Sequence, residues 1–308
     1  MGAAEDVQLD TSMTLSVVVP AYNEEDTIGD CLRLLLEQSD HIAEVVVVDN
    51  NSTDRTVEIV ESFIAEHPIV RVLPESQQGL VYARNAGMDS ATGDLIARID
   101  ADTRVPPGWA KTIVDFFSSD SSGQWSALCG HGAAYGLPFE GWKQRQQERF
   151  ATVAARLPVR LHRDGAVSDE PRSSPVLYGS NMVVRRDVWA IIRTRVSMRR
   201  DIFEDVDMGL CVRDIGCKNA FLGSITVGVS PRRMETGMAS FVQYMSFLPR
   251  TLLMHRRFGL ATLMLVGYLP PLFVVHGLRL ILIRAYDPHS STFGVRNLLR
   301  SREERILP

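Results

Sequence analysis

Apolar residues between positions 15 and 99 fall into two periods. Residues 15–20, 44–48, 70–73 and 94–99 are short, nearly continuous runs rich in Val, Leu and Ile. Runs of that length, bounded by Pro, Gly, Asn or Asp, predict buried strands. Between the first two, residues 24–38 carry Ile28, Leu32, Leu35 and Leu36 at helical spacing. That spacing predicts an amphipathic helix, with Asn23 as its N-cap. A second helix is predicted over 51–66, capped by Asn51 or Ser52, and a third over 80–91. Continuous strands alternating with helices predict an α/β fold with a parallel sheet covered on both faces.

The alternation loosens downstream. Residues 140–157 read as a polar helix and 162–175 as a loop. A strand is predicted over 176–185, a helix starting at 187, a helix over 203–215 ended by Gly216, and a strand over 221–229. Residues 258–283 are strongly apolar, with Pro270-Pro271 in the middle and His276 and Arg279 in the second half. Their length is that of a membrane span, ~20 residues, but the proline pair predicts two short halves. Arg250, Arg256 and Arg257 precede the segment and Arg284 follows it, so flanking charge gives no orientation. Three readings remain: a kinked transmembrane helix, an interfacial hairpin, or a helical subdomain packed on the core. Association with a membrane surface, on its cytoplasmic side, is the expectation, with a soluble cytoplasmic protein as the alternative. The chain thus divides into a tail (1–13), an α/β domain (14–234) and a C-terminal helical, membrane-associating segment (235–308).

Composition adds exclusions. The 308 residues are 45% hydrophobic and 23% charged, ordinary for a folded protein, and the net charge of -4 offers no nucleic-acid-binding surface. Cys31, Cys129, Cys211 and Cys217 form no CxxC pair. They read as reduced, mostly buried thiols of a cytosolic compartment. Residues 1–10 have neither the basic nor the apolar region of a signal peptide.

The chemistry gathers at strand ends. In open sheets of this kind ligands bind beyond the carboxyl ends of the strands. There the chain places Pro20-Ala21-Tyr22-Asn23-Glu24, Asp49-Asn50-Asn51-Ser52 and Asp100-Ala101-Asp102. Two carboxylates two residues apart suit Mg2+ or Mn2+, which take hard oxygen ligands and keep positions open for phosphate. A solvated Asp-rich turn is the plain alternative for that tripeptide alone.

These stretches, with 79–87 and Ala91-Thr92-Gly93-Asp94 running into Asp100-Ala101-Asp102, resemble family 2 glycosyltransferases of the GT-A fold over about residues 15–229. The resemblance implies hexosyltransferase-like transfer from a nucleotide-sugar donor to an acceptor hydroxyl with inversion, aided by a divalent cation. It implies that Pro20, Ala21, Tyr22 and Glu24 wall the nucleotide pocket and that Asp49 binds the base. Asp100 would contact ribose or metal, Ala101 would join the nucleotide-sugar-binding residues, and Asp102 would hold the metal. Phe203-Glu204-Asp205 matches the family's Glu-Asp pair, making Asp205 the catalytic base and Glu204 its neighbour. Asp207 reads as a solvated helix residue, and Arg84 and Asn85 as structural. Tyr178, Gly179 and Ser180 would line the acceptor side, with Gly179 letting a sugar approach the backbone. Two departures matter. Gln243-Tyr244-Met245-Ser246-Phe247 stands where processive members carry Gln-x-x-Arg-Trp, which argues for single transfer. Ser230-Pro231-Arg232-Arg233 follows the last core strand, where Arg232 or Arg233 would neutralise the leaving diphosphate. A lipid-linked acceptor would fit a membrane-associated chain. The competing readings are a membrane-docked binding protein with an inactive site and, more weakly, a nucleotidyltransferase. The latter wants a Gly-rich basic loop where Ala21-Tyr22-Asn23-Glu24 stands.

Overall fold

A computed structural model describes residues 13–135, 170–230, 237–287 and 292–294. Its centre is an eight-stranded sheet in the order β3-β2-β1-β4-β8-β5-β9-β7. The strands are β1 (Leu15–Ala21), β2 (Glu44–Asp49), β3 (Val70–Pro74), β4 (Leu95–Arg98), β5 (Ala127–Cys129), β7 (Arg172–Ser174), β8 (Met182–Arg185) and β9 (Asn219–Phe221). β1 pairs in parallel with both β2 and β4, while β8 and β7 run against their neighbours. The sheet is therefore mixed but mostly parallel.

Alternating side chains explain why both faces are covered. Val17 and Val19 of β1 join Val45 and Val47 of β2 on one face, against Ile28, Leu32 and Leu35. Val18, Val46 and Val48 point the other way, against Ala83 and Met88. Each fully buried aliphatic side chain contributes about 1.5–3 kcal/mol, so three residues of one short helix hold it firmly. That helix is α1 (Ile28–Leu36); α2 (Thr56–Ile64) follows β2, and α3 (Leu80–Ser90) packs on the opposite face. α3 lies so close that a Cβ on Gly87 would run into Val18 and come within 2.7 Å of Val48 Cγ2.

Both early helices start later than their sequence pattern predicts. Asn23 is no N-cap: it takes a left-handed backbone (φ 52°), and its Oδ1 accepts the Thr53 N–H at 2.8 Å. Asn51 is likewise left-handed (φ 64°), and Ser52 Oγ accepts the Asn23 N–H. Asp54, not Asn51 or Ser52, receives the Thr56 N–H at the start of α2. The polar residues after β1 and β2 bind each other's loops, which competes with capping. This fixes two strand ends side by side.

Further along, α4 (Trp109–Ser119) and α5 (Arg186–Ile192) flank the sheet, and α6 (Glu204–Asp214) precedes β9. The strand predicted over 176–185 is shorter, because Tyr178 to Asn181 form a turn closed by Asn181 N–H to Tyr178 O at 2.9 Å. The strand predicted over 221–229 is split by a 3-10 turn, Gly223–Ile225. Its second part, β10 (Val227–Val229), leaves the main sheet to pair with β6 (Gly132–Ala134). The helix predicted over 140–157 and most of the loop over 162–175 lie outside the described residues.

The C-terminal part is helical: α7 (Met238–Met245), α8 (Phe247–Met254), α9 (Phe258–Leu263) and α10 (Leu269–Ala285). Pro270-Pro271 does not break the apolar segment. A π turn, Met264–Tyr268, joins α9 to α10, with the Leu269 N–H bonded back to Met264 O. The wider turn lies where the prolines would otherwise clash with preceding carbonyls and leave them without donors. The result is one helical rod, Phe258–Leu282, long and apolar enough to cross a membrane by length and composition. Only 11% of its most apolar stretch is buried, unlike a core helix. Val206 and Leu210 of α6 form a small core with Leu252 and Ala261, so these helices pack on α6.

Candidate active site

The register of the central strands sets one side of the site. Ala21 of β1 stands opposite Asp49 of β2, and Val18 opposite Arg98 of β4. The ends Pro20-Ala21-Tyr22, Asp49 and Asp100 therefore open on the same edge. Ala21 is buried beneath them, while Tyr22 is 42% exposed. Asp49 Oδ1 accepts the Ser52 N–H at 3.1 Å. Glu24 is held by its N–H donating to Thr56 Oγ1 at 2.8 Å. Buried Asn50 braces the same edge: its Nδ2 donates to the carbonyls of Glu75 and Gln77, and its Oδ1 accepts the Gly79 N–H.

Asp100 and Asp102 sit on a fixed loop. The Thr103 N–H donates to Asp100 O at 2.9 Å, and Thr103 Oγ1 accepts the Asp100 N–H at 3.2 Å. Ala101 is buried between the two acids. The Tyr135 hydroxyl donates to Asp102 O at 2.8 Å, and the Arg104 guanidinium lies 4.2 Å over the Tyr135 ring. Arg104 also exchanges two backbone hydrogen bonds with Gly228, tying the loop to β10. Burial pushes the Cys31 thiol far up, and the charges of Asp102, Asp100 and Glu24 push it further. Asp100 and Asp102 offer the hard carboxylate oxygens that suit a Mg2+ or Mn2+ ion.

The other side is built at the start of α6. Asp205 accepts two backbone N–H groups, from Gly179 to Oδ2 and from Val206 to Oδ1, each at 2.8 Å. Burial pushes its carboxyl up to about 6, and the neighbouring Glu204 charge adds to the rise. The two N–H donors and the Arg98 charge oppose it. A carboxylate titrating near 6 can accept a proton at neutral pH far better than one at the ordinary ~3.9. Tyr178 is exposed at the rim, edge-on to Phe221, and Ser180 is half-buried beside it.

Between the two sides lies Arg98, which the sequence reading passed over. Its guanidinium, 1% exposed, has Nη2 2.6 Å from Asp100 Oδ1 and Nη1 3.5 Å from Glu204 Oε1. The signal was present as a lone charge inside the apolar run Leu95-Ile96-Ala97-Arg98-Ile99. Arg98 also explains Gly179. A Cβ there would run into Arg98 Nη1 and lie 3.3 Å from Glu204 Oε1. The glycine makes room for the guanidinium. Arg84 is structural, as expected: fully buried, it donates to Glu204 O at 3.1 Å and to Asn85 Oδ1.

Asp207 corrects the sequence reading. It is not solvated but wholly buried, because the C-terminal helices cover it. Its Oδ2 accepts the Ser197 N–H at 2.7 Å, and Oδ1 lies 2.8 Å from His255 Nε2. His255 Nδ1 pairs with Asp214 at 2.9 Å. Hydrogen bonding to Asp207 raises the His255 pKa against the opposing effect of burial. Arg232 and Arg233 lie outside the described residues.

Against known proteins, residues 16–192 match the model of the family described as glycosyl transferase family 2. The chain belongs to that family. Among its relatives is an uncharacterized glycosyltransferase, YibD, of Escherichia coli, 33% identical over 112 residues, covering 36% of this chain and 33% of YibD. An undecaprenyl-phosphate 4-deoxy-4-formamido-L-arabinose transferase of Edwardsiella ictaluri is 36% identical over 111 residues, 34% of each chain. The chain spans about a third of the length of these curated relatives. A solved mannosyltransferase, PcManGT of Pyrobaculum calidifontis in complex with GDP-Man and Mn2+, superposes with a TM-score of 0.59 at 20% identity. That match covers 86% of this chain and 73% of the other. It shows a shared fold, the GT-A fold expected of the family.

Proposed function

We propose that this family 2 protein is a divalent-metal-dependent, inverting, non-processive glycosyltransferase. It moves a sugar from a nucleoside-diphosphate donor to the hydroxyl of a lipid-linked acceptor at a membrane surface. The observation that carries the reading is the joining of Asp100 and Glu204, the donor-side and base-side acids, through one buried guanidinium.

The roles follow from placement. Tyr22 offers the flat wall a nucleobase needs, with Pro20, Ala21 and Glu24 completing it, and Asp49 reads the base's N–H edge. Asp102, with Asp100, would hold the cation, which would offset charge on the diphosphate. The Mn2+ named in the PcManGT complex supports a divalent cation in a protein of this fold. Asp205 accepts the acceptor's proton while Gly179 and Val206 N–H groups hold its carboxylate in one orientation. Attack from the Asp205 side displaces the diphosphate from the opposite face and inverts the anomeric carbon. Tyr178 and Ser180 border the acceptor. Arg232 and Arg233, which lie outside the described residues, would supply charge to the leaving diphosphate.

The exposed apolar rod supports a membrane surface, and one relative bears undecaprenyl phosphate in its name. Burial pushes the Tyr178 hydroxyl up, and Tyr268 of the π turn is among the groups close enough to add to it. On this reading a lipid-linked hydroxyl would reach Tyr178 from the side of the rod. Purified full-length chain, incubated with nucleotide sugars and Mn2+, should release nucleoside diphosphate and label a polyprenyl-phosphate-linked acceptor. EDTA should stop both. No metal-dependent release with any common nucleotide sugar would refute the reading.

A further inference from the structure

Arg98 stands out among the buried charges because the proposed reaction leaves it without a role. Two of its nitrogens, Nε and Nη2, are buried with no aligned hydrogen-bond acceptor among the described residues. Nη2 is nonetheless only 2.6 Å from Asp100 Oδ1, so that contact is an ion pair off the N–H axis. A fully buried guanidinium that wastes donors is costly unless its charge has a task. Its neighbours on every side belong to the site: Asp100 beyond β4, Glu204 on α6, and the Gly179 backbone, which itself donates to Asp205. Arg84, the other buried cation here, binds the Glu204 carbonyl and Asn85 instead.

We propose that Arg98 is a positioning residue that holds Asp100 on the donor side and Glu204 on the base side in one fixed spacing. A planar guanidinium presents nitrogens to two partners at once, which a lysine ammonium on a flexible stem does not. With Asp100 Oδ1 held by Arg98, the other oxygen is left to face ribose or cation. With Glu204 held, its charge stays at a constant distance from Asp205. Donor binding and proton acceptance are thereby fixed to the same group. This assignment rests on the transferase reading above.

The test uses full-length protein and two double-mutant cycles. Nucleoside diphosphate affinity with Mn2+, by calorimetry, is measured for wild type, R98M, D100N and R98M/D100N. Turnover is measured for wild type, R98M, E204Q and R98M/E204Q. R98M should weaken nucleotide binding about tenfold and lower kcat about a hundredfold, on the scale of misplaced catalytic groups. In each cycle the second substitution should add little to the first, because the residues act as one unit. R98K should recover nucleotide affinity more than turnover, a split that a loss of packing would not give. Melting temperatures and circular dichroism identify any variant that does not fold, and R98K then carries the cycles in place of R98M. Effects that simply multiply in both cycles, or wild-type constants in R98M, would overturn the assignment. If wild type itself neither binds nucleotide nor turns over, the transferase reading fails and Arg98 loses this role with it. That result is distinct from additivity in an active enzyme.

Discussion

The position of Asp205 makes a quantitative prediction about pH. If Asp205 accepts the proton, only its ionised form works, so kcat/KM follows the ionised fraction in the free enzyme. With the carboxyl pushed up to about 6 by burial and by Glu204, that fraction is about one half at pH 6. It is about one eleventh at pH 5 and about 99% at pH 8, so kcat/KM should fall roughly tenfold between pH 8 and pH 5. An Asp at its ordinary ~3.9 would still be about 93% ionised at pH 5, and the same profile would be nearly flat. Glu204→Gln removes the neighbouring charge, so the midpoint should move down while remaining above 3.9, because burial is the larger cause. The assay is the initial rate of nucleoside diphosphate release at subsaturating donor, with Mn2+ held saturating at each pH. Asp205→Asn should lose turnover at every pH but keep nucleotide affinity. A flat wild-type profile from pH 5 to 8, or near-normal turnover in Asp205→Asn, would refute the assignment.

Other substitutions read other parts of the structure. Gly179→Ala drives a Cβ into Arg98 Nη1 and should cost about tenfold or more in turnover; a fully active variant would show that the contact relaxes freely. His255→Ala removes the charged partner of buried Asp207 and should cost about 3 kcal/mol at pH 6, by urea unfolding. Because pairing raises the His255 pKa, the charged pair's contribution is fully present below ~6.5. It is lost as pH rises through the raised value, so the gap between wild type and His255→Ala should narrow toward pH 9. A gap independent of pH counts against a charged clamp. Paired Leu265→Glu and Val266→Glu changes lie on the exposed face of the rod, 57% and 70% exposed. They should abolish sedimentation with anionic lipid vesicles while leaving the circular dichroism spectrum unchanged; retained sedimentation would rule out that face.

The central sheet was legible because burial on both faces forces unbroken valine-rich strands, and no tertiary contact overrides that pattern in β1, β2 or β4. The strand end before Asp100 and Asp102 and the helix start at Asp205 were legible as short motifs. Helix starts were misread because Asn23, Asn51 and Ser52 have side chains suited to capping but spend them on other loops, Asn23 and Ser52 on each other's and Asn51 on Ser76 O. Asp207 was misread because an acid in the first turn of a helix looks solvated until something covers it. The cover, His255, is 48 residues away. Arg98 was in plain sight as a charge within a strand, but its partners lie on a loop and on a helix more than a hundred residues downstream. Local pattern reports what a residue is, whereas pairing over such distances depends on the fold.

The C-terminal helices then take on a second meaning. They read in sequence as an anchor appended to a transferase domain, yet they hold the helix that carries Asp205. Thr251 accepts the Phe203 N–H at 2.9 Å, one residue before α6 begins. Leu252 and Ala261 bury Val206 and Leu210 on its flank. His255 and Arg257 bind Asp207 and Asp214 along its length, Arg257 at 2.7 Å. Four attachments over two to three turns leave α6 little freedom to shift without α8 and α9 moving too. The apolar rod continues directly from them, so whatever seats the rod also seats the helix that carries Asp205. Catalysis and membrane contact would then be mechanically linked, and detaching the rod would misplace Asp205 rather than merely release the enzyme from the membrane.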